Sequence, residues 1–232
     1  MKRYRWLLGC CLFLSIGMLW AADEPDLRML QQKAAQSRDM EGYVGVCKYL
    51  YQTEENPELL LLYADSIHQL ATKSKKPEQL VEYYIWASEG NFIKGDFQQG
   101  YALKRKAIAL AEKAGLKFAI SQSCCDMGYY CNVDARYDSA RYYFRKGLEA
   151  GEDLSEAGEA CRTMLTNYAS SFLFEGKTDS ALVYTIRASE RSAADKDTAM
   201  LIENLNQLGT IYRRKKNLEN CIANFEQALH LC

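Results

Sequence analysis

The sequence predicts an all-α fold, a solenoid of antiparallel helix pairs, on three observations. Four segments beginning at Val81, Ser121, Arg162 and Ile202 start 40, 41 and 40 residues apart and carry small residues in step. Ser88, Gly128, Ala169 and Gly209 stand eighth; Gly100, Ala140, Ala181 and Cys221 twentieth; Ala107, Gly147, Ala188 and Ala228 twenty-seventh. The chain has only 3 prolines, at 25, 57 and 77, so nothing after residue 77 need break a helix at a proline. No stretch alternates convincingly in the two-residue period of a strand. A repeated helical hairpin accounts for the pattern. Small residues at 8 and 20 let two helices approach, and the small residue at 27 lets the next unit stack. Large residues at 4, 7, 11 and 24 fill the remaining space; in the last segment these are Leu205, Leu208, Tyr212 and Phe225. One hairpin cannot bury its apolar face alone, so the units must stack.

The elements follow in order. Lys2, Arg3 and Arg5 open residues 1–22, an uncharged apolar run extends from Trp6 to Ala22, and Asp23 and Glu24 come next. That is the layout of a secretory signal. An uncleaved signal anchor is the alternative, because the run is at the short limit for spanning a bilayer and Leu19 is large for the −3 position of a cut after Ala21. Leu7-Leu8-Gly9-Cys10 looks like a lipid-attachment box, but the apolar run continues beyond it. Residues 23–41 hold a polar helix, about 26–38, that can cap a stack. The repeat domain covers 42–232, with units near 45–80, 81–120, 121–161, 162–201 and 202–232. In the first and most degenerate unit, Ala64 and Ala71 take the small positions. Pro57 and Pro77 suit first helical turns. Asp96 and Asn217 suit N-caps, and Gly115 a left-handed helix end after Lys113.

These units resemble the tetratricopeptide repeat (TPR) family. The last matches best, with Leu205, Leu208, Gly209, Tyr212, Leu218, Cys221, Phe225 and Ala228 at the family's signature positions. Gly128, Tyr137, Ala140 and Phe144 match in the unit from Ser121. Tyr168, Ala169, Phe172, Gly176, Ala181 and Ala188 match in the unit from Arg162. The unit from Val81 departs from it, with Lys104 where an aromatic is usual. The family period is about 34 residues, so six or seven extra residues lengthen either helices or inter-unit turns here. The resemblance implies a right-handed superhelix whose concave face is lined by the first helix of each unit.

In the family, positions 2, 5, 9 and 12 of that helix face the groove. Here they are Glu82, Ile85, Glu89 and Phe92; Gln122, Cys125, Tyr129 and Asn132; Thr163, Thr166, Ser170 and Leu173; Glu203, Asn206, Thr210 and Arg213. The basic clamp used by family members that grip an acidic tail is missing. The implied ligand is a peptide or protein held by hydrogen bonds and a few apolar contacts.

Reactive chemistry finds little footing. The two histidines, His68 and His230, are far apart, and there is no Cys-x-x-Cys pair. Cys124-Cys125 reads as core, and Cys124 and Cys131 would stand about 10 Å apart along one helix, too far for a bridge. No catalytic residue, metal or cofactor is expected. A net charge of −1 gives no general attraction to nucleic acid. The runs Lys104-Arg105-Lys106 and Arg213-Arg214-Lys215-Lys216 read as solvated cations. The expectation is an exported, periplasmic or membrane-anchored protein-interaction scaffold, not an enzyme, touching membrane only through its N-terminus or further downstream sequence. The alternative is the extracytoplasmic sensor portion of a larger histidine kinase or helix-turn-helix regulator. The apolar tail Ala228-Leu229-His230-Leu231-Cys232 adds the expectation that more sequence, or a second copy, covers that end.

Overall fold

The computed structural model describes residues 26–54 and 56–232. The expected signal or anchor, residues 1–22, lies outside the described residues, as do the first residues of the 23–41 segment. Among the described residues there are eleven α-helices and no strand. They are α1 (Leu27–Ser37), α2 (Met40–Thr53), α3 (Pro57–Ser74), α4 (Pro77–Lys94), α5 (Phe97–Ala114), α6 (Lys117–Val133), α7 (Tyr137–Gly151), α8 (Gly158–Phe174), α9 (Thr178–Ala194), α10 (Thr198–Arg214) and α11 (Leu218–Leu231). A 3-10 turn, Ser155–Ala157, leads into α8.

The repeat seen in the sequence is a repeat of helices. Val81, Ser121, Arg162 and Ile202 are each the fifth residue of α4, α6, α8 and α10. The seventeenth residues, Phe97, Tyr137, Thr178 and Leu218, each open the second helix of a pair. All twelve small residues at positions 8, 20 and 27 are buried. The added length lies in the helices: α4 and α5 have 18 residues and α8, α9 and α10 have 17. The connections within pairs stay short.

Each of those connections is built the same way. The backbone N–H of Asp96, Arg136, Lys177 and Asn217 donates to the carbonyl five residues back, on Asn91, Cys131, Phe172 and Tyr212. The residue before, at position 15, has positive φ: Gly95 92°, Ala135 56°, Gly176 79° and Lys216 58°. This is the Schellman arrangement, which satisfies carbonyls that the helix end leaves unpaired. Asp96 Oδ1 then accepts from Gln99 N at 3.0 Å and Asn217 Oδ1 from Asn220 N at 3.1 Å, capping α5 and α11. Pro57 and Pro77 open α3 and α4, where a missing N–H costs nothing.

The described chain falls into two compact units. The N-terminal unit comprises Pro25–Met127 with Glu149–Ala157, and the C-terminal unit Gly128–Leu148 with Gly158–Cys232. In the N-terminal unit α1 to α5 pack in chain order, and α2 also touches α4. Val46, Leu50, Leu60, Ile67, Val81, Ile85, Trp86 and Leu103 form its core, with Ala34 of α1 against it. In the C-terminal unit α8 to α11 pack in chain order, and α8 also touches α10. Its core includes Leu173, Ala181 and Ile211 in one cluster and Leu205, Leu208 and Ala228 in another, and Phe144 and Met164 are fully buried as well. The first helices α2 and α8 therefore meet both their own partners and the first helix of the next pair.

Candidate functional site: the first-helix faces

A three-helix junction recurs where one pair meets the next. It brings together position 9 of a first helix, position 24 of its partner and position 6 of the following first helix. In the N-terminal unit these are Glu89, Lys104 and Asp126. Lys104 is fully buried, and its Nζ donates to Glu89 and, at 2.9 Å, to Asp126 Oδ2. Burial by itself works to lower the Lys104 pKa. The charges and hydrogen bonds of Asp126 and Glu89 outweigh it and push the ammonium up, so the lysine stays charged. In the C-terminal unit the same three positions are Ser170, Thr185 and Gln207. The Gln207 amide donates to Ser170 Oγ at 2.7 Å, and the Thr185 hydroxyl donates to Gln207 Oε1 at 3.0 Å. One geometry thus carries a charged triad in one place and a neutral one in another. Lys104, read from sequence as part of a solvated basic run, is the centre of the charged one.

Further polar bonds stitch first helices together in the C-terminal unit. Asn132 Nδ2 donates to the Asn167 carbonyl at 3.0 Å. The Thr166 hydroxyl donates to Asn204 Oδ1 at 2.9 Å, and Asn204 Nδ2 donates to Ser192 Oγ at 3.1 Å. Arg162 reaches Asp195 and Asp197 in the turn before α10, at 2.9 and 2.8 Å. Asp197 also caps α10 through Met200 N at 3.0 Å.

This packing sorts the residues assigned to the groove. Ile85, Glu89, Asn132 and Thr166 are buried, as are Phe92, Cys125 and Leu173. Positions 5 and 12 are buried in the three aligned segments that another segment follows. Glu82 and Gln122 in the N-terminal unit are half-buried, as are Tyr129, Thr163, Ser170, Glu203 and Thr210 in the C-terminal unit. Asn206 and Arg213 are exposed. Burial pushes the Glu82 carboxyl up, opposed by the Trp86 indole N–H that donates to it at 2.9 Å and by Lys48 and Lys104. Burial alone pushes Glu203 up.

The other candidate groups are held in packing contacts or buried. His68 stacks on Tyr83, ring centroids 4.3 Å apart. Cys47, Cys124, Cys125, Cys131, Cys161 and Cys221 are buried, and burial pushes the Cys47 thiol up to about 12. Among the described residues no cluster of histidine, cysteine and carboxylate side chains is placed to hold a metal ion, and no helix is long and apolar enough to cross a membrane.

The fold and its repeated junction define a class, an all-helical, repeat-like protein of consecutively packed helices. No protein-family model matches the chain, and no curated protein matches it. Among solved structures it is similar to BtubC (BKLC) from P. vanneervenii, with a TM-score of 0.70 at 14% identity over 88% of this chain and 86% of that one. At that identity the likeness concerns the fold alone.

Proposed function

We propose that this chain is a non-catalytic TPR-type scaffold that binds a peptide or protein segment along the exposed side of its first helices, and that residues 1–22 direct it out of the cytoplasm. The supporting observation is the common register of the first helices. Once positions 5 and 12 are taken up by packing, position 2 remains half-open in each of the four aligned segments. It carries Glu82 and Gln122 in the N-terminal unit and Thr163 and Glu203 in the C-terminal unit. Within each unit these are hydrogen-bonding side chains one repeat apart, chemistry suited to the polar groups of an extended ligand. In the C-terminal unit Tyr129 and Ser170 add to that row.

The test is capture of a partner by the full chain, followed by Tyr129→Ala combined with Glu203→Ala. Both side chains are half-open, so circular dichroism should stay helical while the partner's affinity falls about tenfold or more. Undiminished binding by the folded double variant would overturn this reading.

A further inference from the structure

Helix α11 presents a continuous apolar stripe to solvent. Leu218 is 66% exposed, Ile222 56%, Phe225 38% and Leu229 73%. The same chain shows how such a face is meant to be used, because α5 and α9 occupy the same place in their pairs. At the Phe225 position, Lys104 in the N-terminal unit and Thr185 in the C-terminal unit are completely covered. At the Ile222 and Leu229 positions, Tyr101 and Ile108 of α5 are 8% and 4% exposed. At Lys104 and Thr185 the next first helix, which runs antiparallel, is in contact: Asp126 of α6 on Lys104, and Gln207 of α10 on Thr185. The stripe on α11 is therefore one half of a helix–helix contact that the chain makes elsewhere.

We infer that this face is a homodimer interface, in which α11 of a second copy lies antiparallel on α11, in the place a further first helix would take. The stripe is self-complementary. Its residues are spaced 4, 3 and 4 apart, symmetric about the point between Ile222 and Phe225. A two-fold axis there sets Leu218 against Leu229 of the partner subunit and Ile222 against Phe225 of the partner subunit. That is the isologous arrangement of a closed dimer. Charge agrees with the direction. The exposed basic turn of Arg213 and Lys216 precedes α11, and the antiparallel copy brings the negative end of its helix dipole there. On α1 the exposed side chains are mostly polar, among them Arg28, Gln32, Lys33 and Gln36, with the apolar Met29 beside them. Five of the large apolar side chains exposed among the described residues lie on α11, counting Leu231 with the four of the stripe. Clustered exposure of this kind marks a contact surface rather than scattered surface leucines. This interface is separate from the position-2 row proposed above and does not rest on it.

The experiment is sedimentation equilibrium of the full chain, in mild detergent so that the apolar run Trp6–Ala22 cannot associate on its own. The wild-type chain should be a dimer. Leu218→Lys alone and Leu229→Glu alone should each weaken association about tenfold or more with unchanged helical circular dichroism, since both side chains are mostly exposed in the monomer. Leu218→Lys combined with Leu229→Glu in one chain should restore the dimer, because the axis places each lysine opposite a glutamate. A monomeric wild type, single variants that still dimerise fully, or a double variant that stays monomeric would each overturn the inference.

Discussion

A Cβ added at Gly128 would run into the ring of Phe144 well inside contact distance, and that ring is completely buried. At Gly209 the obstacle is the Phe225 ring, whose nearest atoms would lie at 2.7 Å. The two sites share a position in the repeat yet differ in what can yield. Phe144 has nowhere to move, whereas Phe225 is 38% exposed and can swing outward. Gly128→Ala should therefore cost about 1–3 kcal/mol, as overpacking does, and Gly209→Ala measurably less. Urea melts of the two variants under dilute conditions check this; equal losses would contradict it. Both glycines were legible in the sequence because smallness at one position recurs in every segment. Lys104 was not. Its partners lie 15 and 22 residues away, and a lysine at a position taken by phenylalanine in two other segments reads as a departure from pattern. The available signal was positional. Writing the first segment against the third puts Glu89 with Ser170 and Lys104 with Thr185, and the second against the fourth puts Asp126 with Gln207, polar at each match, although Phe144 and Phe225 take the Lys104 position in the other two segments.

At the scale of elements, that column match makes a sharper claim about the junction. A buried ion triad is costly to break but not costly to replace as a whole, since desolvation offsets much of its attraction. Lys104→Thr alone leaves Glu89 buried and beside Asp126 without the cation, and should destabilise by about 3–5 kcal/mol. Lys104→Thr with Glu89→Ser and Asp126→Gln installs the neutral triad that the C-terminal unit already holds in the same geometry. The triple variant should recover most of the loss, and urea melts of the single and triple variants test it. A triple variant no more stable than the single would mean that the two junctions are not equivalent. Element boundaries were largely legible, because Asp96, Asn217, Pro57, Pro77 and Gly115 act locally. The left-handed residue at position 15 was only half legible: glycine holds it in two turns, but Ala135 and Lys216 adopt it with φ of 56° and 58°. There the repeated Schellman bonds impose a conformation that the residue itself disfavours.

Each unit is a series of local contacts, and this decides both what could be read and how it should come apart. A fold made of neighbouring pairs repeats its constraints, so one alignment of the sequence against itself exposes most of them. The face left for a ligand has no such redundancy. Its residues are those that packing spares, and positions 5 and 12 were lost to burial that no single repeat reveals. The same locality predicts uneven stability in the C-terminal unit. There α9 packs against both α8 and α10, while α11 packs against α10 with its outer stripe bare. Stacked repeats gain stability from each interface, so a helix covered on one side opens first. In the Leu218→Lys chain, native-state hydrogen exchange should find α11 amides about tenfold or more faster than those of α9 and α10. In the wild-type chain, the second copy would supply the missing interface, and α11 should become protected as concentration rises. Equal protection of α9, α10 and α11 in the monomeric variant would show instead that the unit opens as one block, with the last helix held by more than the face of α10.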